Sequence, residues 1–136
     1  IPNDPTNANR ALHMLEEQGL VRLNPKAGIR ATVLDIIDNA KKLRIIELDS
    51  AQLPRSLDDA LVAVIPMNYV FSAGLSPQKP GVYFESLEAP FALIIIAAHQ
   101  DRRNDKSVQD FVKYYRSPEV KAFVEKTFNG TIKPSW

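Results

Sequence analysis

Cysteine is absent from the 136 residues. That excludes a disulfide framework, a thiol nucleophile and any cysteine-ligated zinc, and it leaves the redox compartment open. Histidine is nearly absent as well. His13 and His99 are the only two, too far apart in sequence to form a spaced metal-ligand pair. His13, on a helix beside apolar neighbours, reads as a packing or surface residue. Among only five glycines there is no glycine-rich phosphate loop and no Gly-x-Ser-x-Gly elbow. Charge of one sign is missing too: 17 Lys and Arg against 16 Asp and Glu give a net charge of +1, with no field to attract nucleic acid or an anionic membrane. The longest apolar run, Phe91-Ala92-Leu93-Ile94-Ile95-Ile96-Ala97-Ala98, is eight residues, far short of the ~20 that span a bilayer. No nucleophile, metal-ligand set or cofactor motif remains, so the expected activity is binding without catalysis.

What is present is globular: 45% hydrophobic and 24% charged residues in 15.2 kDa, enough for one domain with a core. The most informative stretch is the opening, Ile1-Pro2-Asn3-Asp4-Pro5-Thr6-Asn7-Ala8-Asn9-Arg10-Ala11-Leu12. Ile1-Pro2 reads as the tail of a strand, which points to a piece of a longer chain. Asp4-Pro5 reads as a turn, because a residue before proline is pushed out of the α region. Thr6 or Asn7 is positioned to cap the helix that follows, whose free N–H groups and positive dipole end favour a carboxylate or phosphate. Arg10 lies one turn in, and its planar fork matches a carboxylate bidentately. An ordinary cap beside a solvated arginine fits the same residues.

Ala8, Ala11, Leu12 and Leu15 recur at helical spacing, predicting a helix over residues 7–18 that Gly19 stops, with Glu16 and Glu17 facing out. Residues 20–23 read as a short strand or extended link. Thr32 and Asp35 resemble a capping box opening a short helix over 33–39, with Val33, Ile36 and Ile37 inward. Residues 43–48 read as a strand, 52–59 as a short helix or turn, and 60–65 as a buried strand, the rhythm of a parallel α/β sheet. A helical turn or two over 67–73 closes at Gly74. Then come a loop over 76–81, a brief strand over 82–84, a polar hinge over 85–90 and a buried strand over 91–98. The tail predicts two amphipathic helices: residues 105–115, and one opened by Ser117-Pro118 and ended by Asn129-Gly130.

Asp58-Asp59 reads as a solvated pair, since adjacent helical residues point in different directions. Arg102-Arg103 reads as loop charge. Tyr114, Tyr115, Phe91 and Trp136 read as core or lobe-packing aromatics.

Four motifs together carry a resemblance. Pro2-Asn3-Asp4-Pro5-Thr6-Asn7-x-x-Arg10-Ala11-Leu12, Leu53-Pro54-Arg55-Ser56-Leu57-Asp58-Asp59-Ala60, Asn68-Tyr69 with Gly74-Leu75, and Phe128-Asn129-Gly130 near Trp136 resemble the NlpA/MetQ family of methionine-binding lipoproteins. The resemblance implies an α/β, periplasmic-binding-protein-like (type II) lobe with a C-terminal helical return segment, a fragment of a two-lobed fold. Residues 1–88 would form the second α/β lobe, and residues 89–136 the hinge strand and helices returning to the first. It implies the substrate-binding component of an ABC transporter for amino-acid uptake, taking methionine or a related small amino acid in the interlobe cleft. Arg10 would grip the ligand carboxylate, with Asn7, Thr6 and Asn68 in support.

The implied partners are the free amino acid and an ABC permease, with no nucleic acid and no cofactor or metal. The implied location is the periplasm or the outer face of the cytoplasmic membrane, reached through an upstream lipid anchor outside this sequence. Pro66 and Leu93 stand where the family commonly has asparagines expected to hold the ligand's amino and carboxylate groups. They allow a second reading, a sensor or interaction module of the same fold that has lost the amino-acid site. An apolar strand and two helices without their covering lobe imply a dimer or a swapped assembly.

Overall fold

A proline in the first helical turn sets the frame of the N-terminal part. In the computed structural model, which describes residues 1–75, 81, 83–86, 89 and 94–136, helix α1 runs Pro5–Glu17. Asp4 is its N-cap, with extended backbone and a carboxylate that accepts the Asn7 backbone N–H at 3.0 Å. Pro5 costs nothing at the first position, because first-turn N–H groups have no intrahelical acceptor. The helix therefore starts two residues before its predicted start, and Asp4, not Thr6 or Asn7, caps it. The far end agrees with expectation: Gly19 takes φ +65°, its N–H donating to Glu16 O at 2.8 Å and that of Leu20 to Leu15 O at 2.9 Å.

The chain divides into two compact units, Ile1–Phe84 and Glu85–Trp136. In the first, Ala11 and Leu12 are wholly buried, and Leu12 clusters with Val21, Leu23 and Ala31. Half-buried Leu15, Val33, Ile36 and Ile45 pack around this nucleus. Strand β1 (Arg22–Leu23) pairs antiparallel with β2 (Ile36–Asp38), Leu23 opposite Ile36. Glu16 does not face out as expected; its Oε1 accepts the Leu23 N–H at 2.7 Å and ties α1 to β1.

The helix expected over 33–39 is a single 3-10 turn, Val33–Asp35, followed at once by β2. The Asp35 carboxylate does close the turn, accepting from the Thr32 N–H at 2.8 Å and hydroxyl at 2.9 Å. Ile36 and Ile37 then take β geometry, which β-branched side chains favour; Ile37 is exposed.

The strand expected over 43–48 reduces to one bridge, Leu48 parallel to Pro2. Leu48 N–H donates to Ile1 O at 2.9 Å and Asn3 N–H to Leu48 O at 2.8 Å. Both bonds belong to the residues flanking Pro2, so the missing proline N–H goes unmissed. Residues 52–59 form a turn and a 3-10 segment, Arg55–Asp58, as read, and Asp58 and Asp59 are exposed. Residues 60–65 are not the expected buried strand: they are irregular, and Leu61 is 97% exposed. An apolar run states a preference for burial, while a strand also needs a hydrogen-bonded neighbour. Helix α2 (Met67–Ser72) ends at Ala73, with Gly74 at φ +69°, as expected.

In the second unit, helix α3 (Lys106–Tyr115) follows Asp105 and carries a Lys106–Asp110 ion pair. Helix α4 (Pro118–Phe128) has proline at its first position, Ser117 Oγ accepting the Val120 N–H at 3.3 Å, and left-handed Asn129 at its end. Both helices match their predicted spans closely. The Tyr115 ring lies 5.9 Å from Phe111 and 5.3 Å from Trp136, a packing role, whereas Tyr114 is 72% exposed. Arg102 pairs with Asp105 at 2.7 Å. No described residue of this unit is buried.

The predicted strand over 91–98 falls partly outside the described residues, at 91–93; residues 94–98 are irregular and exposed. Leu93 and Phe91 are thus outside the description, as are 76–80 of the predicted loop, Val82, and 87, 88 and 90 of the hinge. Tyr83 and Phe84 are not in a strand.

Candidate functional site

Residues three apart on a helix share a face, and α1 uses this to line up Asp4, Asn7 and Arg10. Asn7 Nδ2 donates to both Asp4 oxygens, at 3.1 Å each, and Asn7 Oδ1 accepts from Arg10 Nη1 at 2.8 Å. Carboxylate, amide and guanidinium thus form one series running up the first two turns. The Asn7 N–H, and its side chain with it, holds the Asp4 carboxyl below the ordinary carboxylate range.

This arrangement revises the expected anion site. The N–H-rich end of the helix already receives an anion, the chain's own Asp4.

The structure brings Asn7 and Arg10 together. Thr6 lies in the same turn, exposed and outside the series, and Asn68 is exposed on α2. The next residue along, Asn9, is 2% exposed and its Nδ2 donates to Gly28 O at 3.2 Å. His13 Nε2 approaches the same carbonyl at 3.3 Å, a surface role in keeping with its reading. Gly28, at φ +52°, presents that carbonyl to the helix, so the segment bearing Arg10 is clamped to the turn at 28–30.

Sequence reasoning missed both Asp4 and Asn9. Asp-Pro as an N-cap followed by N1 was the available signal for the first. For Asn9 a polar residue in an apolar stripe gave no pointer.

Two of the motifs meet elsewhere in the same unit. Pro54 and Arg55 line an open depression of about 300 Å³ with Ala51, Tyr69, Ser72 and Ala73. Asn68 immediately precedes this lining, with its carbonyl accepting from the Ser72 hydroxyl at 2.9 Å. Pro66 caps α2 with no side-chain hydrogen bond, as its lack of any donor or acceptor beyond the carbonyl requires. Arg10 is not on this lining. Among the described residues no group of three or more His, Cys, Asp or Glu is placed to hold a metal ion, and no helix is long and apolar enough to cross a membrane.

Arg10 thus stands on a helix clamped to the turn at 28–30, with the Asn7 amide oxygen on its guanidinium. Comparison with known proteins gives the chain a family. The profile of the NlpA lipoprotein family matches residues 1–136, and the chain belongs to that family. It is 43% identical over 136 residues to a probable D-methionine-binding lipoprotein MetQ of Vibrio cholerae, and 44% identical over 138 residues to Lipoprotein 28 of Escherichia coli K12, covering all of this chain and 50% of each relative.

Among solved structures, a nutrient binding protein from Burkholderia cenocepacia bound to methionine matches with TM-score 0.87 and 44% identity, over 100% of this chain and 57% of that one. A crystal structure of the methionine binding protein MetQ matches with TM-score 0.87 and 42% identity, over 100% and 56%. The chain spans about half the length of the curated relatives it matches. Its fold is therefore that of a fragment of a two-lobed α/β binding protein, the class expected from the sequence.

Proposed function

We propose that this chain is part of the substrate-binding component of an ABC transporter for amino-acid uptake, and that its ligand is methionine or a related small amino acid. The observation that carries the reading is the Asp4–Asn7–Arg10 series inside a chain that matches its family throughout. In this reading the Arg10 guanidinium receives the ligand carboxylate through paired N–H donors, an interaction that is strongest where water is excluded. Asn7 supports Arg10, and Thr6 and Asn68 supply further polar contacts from the cleft walls. Residues 1–88 form one lobe and 89–136 return to the other, closing over the ligand by hinge motion and presenting the closed form to a permease. The protein works in the periplasm or at the outer face of the cytoplasmic membrane, lipid-anchored in its full-length form, and it binds without catalysing.

The test is calorimetric titration with L-methionine and a panel of amino acids, on the wild type and on Arg10→Ala. Equal affinities would remove Arg10 from the site.

Pro66 favours a second reading, in which the fold persists as a sensor or interaction module without the amino-acid site. Proline supplies no side-chain amide where the family resemblance implies one, and here it caps α2 with no side-chain bond. A flat titration across all amino acids, in a protein that is folded, would favour it. The exposed apolar segments at Leu61 and Ile94 further suggest association with a second polypeptide, as a dimer or a swapped assembly.

A further inference from the structure

We propose that Asp4 is a positioning residue for the amino-acid site: it fixes the Asn7 side-chain amide so that the amide oxygen meets Arg10 and directs its guanidinium. The inference rests on the reading that Arg10 receives the ligand carboxylate.

The chemistry of the series allows one arrangement. Asn7 sits between a carboxylate, which only accepts, and a guanidinium, which only donates. With Nδ2 toward Asp4 (3.1 Å to each oxygen) and Oδ1 toward Arg10 (2.8 Å), every contact pairs a donor with an acceptor. The flipped amide would set oxygen against oxygen at one end and N–H against N–H at the other. Asp4 therefore holds the amide in the one orientation that Arg10 also requires.

Asp4 is itself held by the Asn7 backbone N–H at 3.0 Å, so it is anchored by the helix it caps. A guanidinium ordered before binding loses less rotamer freedom on binding, and affinity rises accordingly. The spacing suits the series: positions 4, 7 and 10 recur every three residues, on one side of the cap and first two turns.

Capping and positioning are separable by substitution. Asp4→Ser keeps a good cap but is too short to hold the amide. Asp4→Asn keeps the cap through Oδ1, which still accepts from the Asn7 side chain, but turns the other arm into a donor facing the Asn7 donor, so the Asn7 amide loses one of its two anchors and holds Arg10 less firmly. The double variant Asp4→Asn/Asn7→Asp restores the alternation, with an amide N–H donating to a carboxylate that still accepts from Arg10.

The experiment is nitrogen-15 NMR of the Asn7 amide and Arg10 guanidinium in the 136-residue chain, with thermal unfolding of each variant alongside. The expected result is that Asp4→Asn and Asp4→Ser shift the Arg10 guanidinium resonances in a chain that stays folded, its melting temperature lowered only by the loss of the cap charge, and that the double variant returns them toward wild type. Unchanged Arg10 resonances in both single variants, or no return in the double variant, would overturn the proposal.

Calorimetry with L-methionine adds a second arm: Asp4→Asn weakens binding roughly 3- to 10-fold in wild type and adds nothing in an Arg10→Ala background. A loss that persists undiminished in that background overturns the proposal. If Arg10→Ala leaves methionine affinity unchanged, the reading of Arg10 fails, while the NMR result still decides whether Asp4 directs it.

Discussion

Asn9 and Arg10 are neighbours in sequence with opposite tasks. The Asn9 amide is buried and its donor is spent on Gly28 O, holding α1 against the turn at 28–30. Asn9→Ala leaves that carbonyl without the amide and opens a small gap, and is expected to cost about 1–2 kcal/mol in urea unfolding. Leu12→Ala, at a fully buried position in the only large cluster among the described residues, is expected to cost about 2–5 kcal/mol.

At this scale the sequence reading placed Arg10 one turn into the helix but gave Asn7 a capping role, and it linked Asn7 to Arg10 only through the family resemblance; the hydrogen bond between them is local helix geometry. Asn9 was not readable, because an apolar-periodicity argument passes over a polar residue whose partner lies 19 positions away. Asp4 was misread: Asp-Pro has both a turn reading and a capping reading, and the choice depends on whether a helix follows immediately.

Elements whose ends are set by their own residues matched the sequence reading. The end of α1 at Gly19, of α2 at Gly74 and of α4 at Asn129-Gly130 each needs a left-handed residue, and each has one. Strands fared worse because pairing is nonlocal. Residues 43–48 form one bridge, 60–65 none, and 36–38 pair with β1 where a helix was expected. The same apolar β-branched residues fit all of these outcomes, and the neighbour decides.

The caps also make a pH prediction. The Asn7 N–H lowers the Asp4 carboxyl, and the Thr32 N–H and hydroxyl lower that of Asp35. A carboxylate with a folded pKa below its unfolded value stabilises the fold fully above the unfolded pKa, and that contribution is lost as pH falls through the folded one. Urea midpoints are therefore expected to drop on the acid side of the ordinary carboxylate range. The drop should be shallower in Asp4→Asn and Asp35→Asn, whose caps carry no proton-dependent charge. An acid limb identical to wild type in both variants would show that these caps do not contribute to it.

For the molecule as a whole, the decisive contrast is between a family match over every residue and apolar segments left uncovered. Leu61 is 97% exposed, Ile94 92% and Ile95 79%, in the two stretches that the sequence marks most strongly for burial. The chain covers about half of its relatives' length, and an apolar run becomes a buried strand only where a hydrogen-bonded neighbour stands beside it. Two-lobed α/β architecture was legible only through the four motifs and their order, since no local pattern announces the second lobe. The exposed segments predict association: light scattering of the 136-residue chain should report a mass above one chain at micromolar concentration, and Leu61→Lys with Ile94→Lys should lower it. A monodisperse monomer would contradict that expectation.

The central claim is that Arg10, directed from Asp4 through Asn7, receives an amino-acid carboxylate. Calorimetric titration with L-methionine and with its carboxylate-free analogue methioninol, on wild type and Arg10→Ala, tests it most directly. The account predicts that wild type prefers methionine and that Arg10→Ala loses about 10- to 100-fold for methionine, the scale of one charged hydrogen-bonded pair, with little change for methioninol. Equal methionine affinity in the two proteins, or an equal loss for both ligands, would contradict it.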